Sequence, residues 1–135
     1  MSHFTKIKTQ IKDREALVAA LQKVMGFRHL EVHDVPQHLY GYQADERPET
    51  AEVIIRREYI GRASNDVGFK LQPDGTYQAI VSKWDSGRFN DAWMGRLTQA
   101  YAYQVVKEQA EIMGLEIESE QVVNGEVRLV LGGWT

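Results

Sequence analysis

Apolar positions along this chain follow two periods. Over residues 90–113, NDAWMGRLTQAYAYQVVKEQAEIM, the residues Trp93, Met94, Leu97, Tyr101, Val105 and Ile112 recur at helical spacing. At about 100° per residue they fall within roughly a third of the circumference, so the stretch predicts one long helix with a core stripe. Adding Ala102, Val106 and Met113 widens the apolar arc to well over half the circumference, more than packing on one sheet requires. Either a second element of the monomer covers the rest, with the polar stretch at 44–50 a candidate, or another chain does.

Most of the remaining pattern has period two. Over residues 2–11 Thr5, Ile7, Thr9 and Ile11 share one face and Lys6, Lys8 and Gln10 the other, which predicts a half-buried strand. Asp13 then caps a helix over 14–25, with Leu17, Val18, Leu21, Val24 and Met25 in register and Gly26 as the left-handed stop. A strand over 27–35 ends at Pro36, and a short strand covers 39–43. ADERPET at 44–50 reads as an exposed loop, and β-branched content makes 51–59 a strand.

Two hairpins follow. A three-residue loop at Pro73-Asp74-Gly75, with Gly75 left-handed, pairs Leu71 with Tyr77, Phe69 with Ala79 and Val67 with Val81, and puts the large apolar residues on one face. It also sets Gly68 opposite Ile80, where the missing side chain admits close packing from the helix layer. The last hairpin joins 115–122 to 126–131. A tight turn at Asn124-Gly125 would set Val127, Leu129 and Leu131 against Val122, Glu120 and Glu118. A three-residue loop with a bulge at Gly125 pairs Ile117 with Leu131 and Gln121 with Val127 instead, and we expect the bulge.

The prediction is therefore an α+β domain, one unit over residues 1–135, with a mainly antiparallel sheet and two helices on one face. Its layout is two strand–helix–strand–strand units of ferredoxin-like character. In that layout the strand at 2–11 lies beside the strand beginning at Leu115, and Lys6 and Lys8 face Glu116, Glu118 and Glu120.

Composition narrows the functions. The chain has no cysteine, which removes disulfides, thiolate catalysis and cysteine-ligated metals. A net charge of −3 argues against a general role on nucleic acid or anionic membranes. The cations nearest to a patch are Lys6, Lys8, Lys12, Arg14, Arg56 and Arg57. No apolar run reaches the ~20 residues of a membrane span. The N-terminus lacks a signal-peptide core, so the cytoplasm is the default location.

Candidate chemistry is sparse. No glycine-rich phosphate loop and no nucleophile elbow occurs, and no cofactor is implied. His29, His33 and His38 cluster around Asp34, but on a strand His29 and His33 lie roughly 13 Å apart, too far to share an ion. Asp66, ahead of Val67-Gly68-Phe69, is a general base or a ligand in one reading and an acceptor of backbone N–H groups in the other. Trp84, Trp93, Tyr101 and Tyr103 could line a cleft or simply pack. Tyr103 falls opposite the core stripe with Arg96, a pairing that suits a partner surface. Glu108 lies inside the apolar arc and needs a partner, with Arg88 and Arg96 as candidates.

Taken together, several stretches resemble a known family. They are Ser2-His3-Phe4 with Ile7 and Lys8, Asp13 with Leu17 and Leu21, Asp66-Val67-Gly68-Phe69, Tyr77, Trp84, Leu97-Thr98-Gln99 with Tyr101-Ala102-Tyr103, and the Gly125 turn with Arg128-Leu129-Val130-Leu131. The pattern is similar to the hypothetical chloroplast reading frame thirty-five family of cyanobacteria, plastids and other bacteria, and is weakest over 37–60. No catalytic residue transfers, because the family has no established activity. The resemblance implies a protein partner, since members are encoded near an AAA-type ATPase, and it adds the plastid stroma as a location if the gene is plastid-encoded.

The sequence thus favours an accessory protein that binds another protein, through Arg96 and Tyr103, over an enzyme. The alternative is a small-ligand or enzymatic module built from Asp66, Trp84 and a histidine such as His33. That version needs the three to converge in one concave pocket. Oligomeric state is not legible in the sequence.

Overall fold

Helix α1 (Arg14–Ala19) begins where Asp13 caps it, its carboxylate accepting the Ala16 N–H at 3.1 Å. It loosens into a π-helical turn over Ala20–Val24 and stops at Gly26, whose φ is +84°. The structure, a computed structural model, describes residues 3–123 and 126–133.

Five strands form one antiparallel sheet: β1 (Phe4–Ile7), β2 (Glu31–Tyr40), β3 (Glu46–Ile55), β4 (Val67–Leu71) and β5 (Tyr77–Ser82), in the order β1-β5-β4-β3-β2. The helices α1 and α2 (Asp91–Met113) pack on one face of it. Leu17, Leu21, Trp93 and Leu97 meet Val53, Ile55, Phe69, Tyr77 and Val81 in the main core. The class is α+β, as expected. The β4–β5 turn is also as expected: Leu71 pairs with Tyr77, Phe69 with Ala79 and Gly68 with Ile80, and Gly75 has φ +87°. A two-residue loop would have turned the apolar set outward.

The second face of the sheet is covered too, by an element that the sequence pattern hid. β2 does not stop at Pro36 but runs to Tyr40, and β3 starts at Glu46, inside the stretch expected to be a loop. A tight turn at 41–45 joins them, with Ala44 at φ +61°. Pro36 is tolerated because β2 is an edge strand, and Pro48 because β4 pairs only with residues 53–55 of β3. The far part of this hairpin bends across the second face. There Leu39 and Ala51 join Phe4, Ile54 and Ile80 in a second core, and the Arg47 guanidinium lies 5.8 Å from the Phe4 ring centre. Gly68 admits the close approach, but of this arm rather than of the helix layer. A Cβ there would stand 2.7 Å from the Ala51 methyl and 3.0 Å from Leu39.

The strand–helix–strand–strand order recurs, yet the last two strands stay out of the main sheet. β1 pairs with β5, Phe4 facing Ser82, and not with the strand from Leu115. β6 (Leu115–Val123) and β7 (Glu126–Gly133) form a sheet of their own. Length explains this. The 23 residues of α2 span about 34 Å, whereas the six of β5 span about 20 Å, so the helix overshoots the sheet. β6 and β7 fold back on the overhang. For the same reason Ile112, assigned to the core stripe by periodicity, is 79% exposed, while Ala100 and Gln104 are buried in the stripe instead.

Within the β6–β7 hairpin Ile117 pairs with Leu131 as expected, but Gln121 faces Arg128 and not Val127. The register next to the turn is that of a two-residue loop, and the irregularity lies between Ile117 and Ser119 instead of at Gly125. Asn124 and Gly125 themselves lie outside the described residues.

Candidate functional site

Asp66 sits at the N-terminal end of β4 with its side chain fully buried. Its Oδ1 accepts the Arg57 N–H at 2.7 Å, and its Oδ2 accepts the Tyr40 N–H at 2.7 Å and Arg56 Nη1 at 2.8 Å. The carboxylate therefore clamps the arm to the end of β3. Arg56 continues the chain of charges: Nε and Nη2 donate to Oε2 and Oε1 of Glu31 at 2.7 and 2.8 Å, a bidentate pair, and Nη1 also reaches the His38 carbonyl at 2.9 Å. The guanidinium lies over the Tyr40 ring, 5.4 Å from its centre. His33 closes the series, its Nε2 2.8 Å from Glu31 Oε1. These hydrogen bonds, first of all those from Arg56, pull the Glu31 carboxyl from its ordinary 4.5 down to about 2.

Asp66 and His33 thus belong to one network, joined through Arg56 and Glu31. Trp84 does not join it. It projects from the short 3-10 turn Trp84–Gly87 after β5 and is 68% exposed. Its neighbour Asp85 is buried instead, where Oδ2 accepts from Ser82 Oγ at 2.7 Å and from the Asn65 N–H at 2.9 Å. That second network ties the loop before β4 to the end of β5. Among the described residues no group of three or more histidine, aspartate or glutamate side chains is placed to hold a metal ion.

Arg96 and Tyr103 stand two turns apart on α2. Arg96 is exposed. Tyr103 is half-buried and lines a groove of about 260 Å³ between α2 and β6, with Lys107, Ala110, Glu111, Leu115 and Ile117. The hairpin is what covers the second side of the long helix. Beyond the groove, Ile112, Met113 and Val130 keep most of their surface in solvent. On the other side of the helix Tyr101 is a docking pin: its hydroxyl oxygen accepts the N–H groups of Lys12 and Asp13, each at 3.0 Å, at the start of α1.

Glu108 meets carboxyls, not the arginines expected for it. Desolvation first, then a hydrogen bond with Asp13 and the charges of Glu15 and Glu111, raise its pKa. Arg88 is elsewhere, with Nη1 3.1 Å from the Ile60 carbonyl and its guanidinium over Phe27 and Phe89.

The family model described as "Protein of unknown function (DUF1257)" matches residues 20–130. The chain belongs to this family. Relatives named "Uncharacterized protein ycf35" run the full length of the chain. The protein of Cyanophora paradoxa is 28% identical over 138 residues, which is 99% of this chain and 98% of the relative. That of Pyropia yezoensis is 26% identical over 143 residues, with the same coverage of each. That of Guillardia theta is 28% identical, again over 99% of this chain and 98% of the relative. No solved structure matches. The matched span of the family takes in β2 through most of β7, and with them the Asp66–His33 network and the α2–β6 groove.

Sequence reasoning singled out both ends of the charge network and missed its middle. Glu31 and His33 share a strand face at a spacing of two, a signal that was available. Arg56 was visible only as half of an Arg-Arg pair, and nothing local shows that it turns 25 residues back to Glu31.

Proposed function

We propose that this protein acts by binding another protein, and that α2 with the β6–β7 hairpin presents the surface. One observation carries the reading: where α2 overshoots the sheet, Tyr103 and Ala110 wall an open groove against Leu115 and Ile117, and on other sides of the same overhang Ile112 and Met113 stay 79% and 65% exposed. Exposed apolar surface around the end of a helix, with Lys107 and Glu111 at the rim of its groove, is what a partner covers. The occupant that fits is an amphipathic segment, its apolar side chains entering the groove and its polar groups meeting that rim. Arg96, exposed two turns before Tyr103, extends the surface along the helix.

The family resemblance makes an AAA-type ATPase the first partner to test. An immobilised candidate should retain the wild-type chain. Tyr103→Ala combined with Arg96→Ala, and separately Ile112→Glu, should reduce capture at least tenfold with the melting temperature nearly unchanged. Undiminished capture by both variants would refute the assignment, and a collapse of the fold in the double variant would return Tyr103 to the core.

A small-ligand or catalytic role for Asp66 has less support. Both of its oxygens are occupied by protein donors and its side chain is fully buried.

A further inference from the structure

The fold gathers cations that the sequence scatters. In the antiparallel sheet β2 begins, β3 ends, β4 begins and β5 ends on the same side. The loops there carry Arg28, Arg62, Lys83 and Arg88, all exposed. None of the four forms an ion pair among the described residues, unlike Arg14, Arg47 and Arg56. Arg57 adds positive charge between them, its Nη2 donating to the Arg62 carbonyl at 2.9 Å. The acids at this end are Glu58 and Asp91, which are exposed, Glu31, whose carboxylate is taken up by Arg56, and Asp66 and Asp85, which are buried and hydrogen-bonded. A net charge of −3 for the chain conceals this end.

Two large rings open to solvent in the same loops. Tyr59 is 50% exposed and is backed on one side by His29, ring centres 4.5 Å apart and stacked. Trp84 stands free on the β5 side. β2 and β5 lie three strand spacings apart, about 14 Å. A single anion cannot meet cations spread that far, whereas a chain of anions can. Exposed aromatic faces between arginines and a lysine that have no carboxylate partner match a chain whose anionic links alternate with flat π-faces.

We propose that this loop end binds single-stranded nucleic acid, with phosphates on Arg28, Arg62, Lys83 and Arg88 and unpaired bases on Tyr59 and Trp84. Rings lying on loops can stack only on bases that are not already paired, so duplex should bind less well. The surface is distinct from the α2–β6 groove and does not depend on the function proposed for it.

The test is fluorescence anisotropy of the full chain with labelled oligouridylate and oligodeoxythymidylate of about twelve nucleotides, and with a duplex of equal length, over a salt series. Single strands should bind, and log K should fall with log salt at a slope of about −2 to −3, the value for four phosphate contacts. Trp84→Ala and Tyr59→Ala should each weaken binding about tenfold, and Trp84→Phe should recover most of the loss. Arg28→Ala with Arg62→Ala should flatten the slope by about 1.4. Tyr103→Ala should bind as wild type. Absence of binding at low salt, a duplex bound as tightly as the single strand, or wild-type binding by both Trp84→Ala and the double arginine variant would overturn the proposal. So would displacement of the oligonucleotide by polyglutamate at equal charge, which would assign the surface to an acidic protein segment.

Discussion

Replacing Gly68 with alanine tests whether the β2–β3 arm seals the second face of the sheet. The new methyl would stand 2.7 Å from the Ala51 methyl and 3.0 and 3.2 Å from the two Leu39 methyls. Carbon atoms pack at about 3.5–4.0 Å, so the arm must retreat by roughly 1 Å. Leu39 and Ala51 are fully buried, which leaves little room for the retreat. Overpacking of this kind costs about 1–3 kcal/mol. Against it stands the lower chain entropy of alanine in the unfolded state, about 0.4–1 kcal/mol. The net expectation is a loss of about 1–2 kcal/mol. The arm also brings the Tyr40 N–H to Asp66, so a retreat strains that hydrogen bond as well. In urea, with m near 1–2 kcal/mol/M, the midpoint should fall by about 1 M at unchanged m. Ala51→Gly moves the methyl from one side of the contact to the other and should restore about 1 kcal/mol in the double variant, a coupling beyond the error of additivity. If Gly68→Ala is neutral or stabilising, or the two substitutions simply add, the arm does not bear on Gly68 as described.

Three further outcomes follow from the charged groups. The Glu31 carboxyl is held at about 2, below its ordinary 4.5, so its contribution is complete above the ordinary value and disappears as pH falls through the lowered one. Because its side chain is 39% exposed, solvent reduces that contribution to about 1–2 kcal/mol. Glu31→Gln should therefore melt several degrees below wild type near neutrality and level with it at about pH 2, and a gap that persists in acid would contradict the assignment. The raised Glu108 carboxyl has the opposite sign: its contribution is present in acid and is lost as pH rises through the raised value. Glu108→Gln should gain about 0.5 kcal/mol near neutrality and nothing in acid, as melting curves at the two pH values would show. Asp66→Asn leaves the guanidinium with one carboxylate and sets an amide against backbone donors. It should cost about 3 kcal/mol in urea unfolding, and a loss below about 1 kcal/mol would mean that the clamp is not what holds the arm.

Legibility tracked the range over which each feature is decided. The cap at Asp13, the stop at Gly26 and the Gly75 turn are settled within a few residues, and the structure has them where the pattern placed them. The arm was misread because polar and proline residues at 44–50 look like loop, and only its neighbours show why they are strand: an edge position frees the prolines from donating. Ile112 failed for a different reason. Periodicity reports which side of a helix is apolar, but not how far the sheet beneath it extends. Of the site residues, Asp66 was recognisable from its place before a strand. The link from Arg56 to Glu31 depends on strand order, which no local pattern encodes. Total charge has the same limit of range, because it averages over a surface on which the fold distributes the charged residues.

The pairing of β1 with β5 has a consequence for assembly. Thr5 Oγ1 donates to the Val81 carbonyl, a contact between residues 76 positions apart in the chain. On a ribosome the first strand has no partner until the fifth has emerged, so the leading edge of the sheet is completed by the chain's own beginning after most of the sheet exists. The C-terminal hairpin closes between near neighbours and has no such wait. An N-terminal fusion would consequently load the slowest-closing seam of the molecule, whereas a C-terminal one would hang from a unit that completes itself locally.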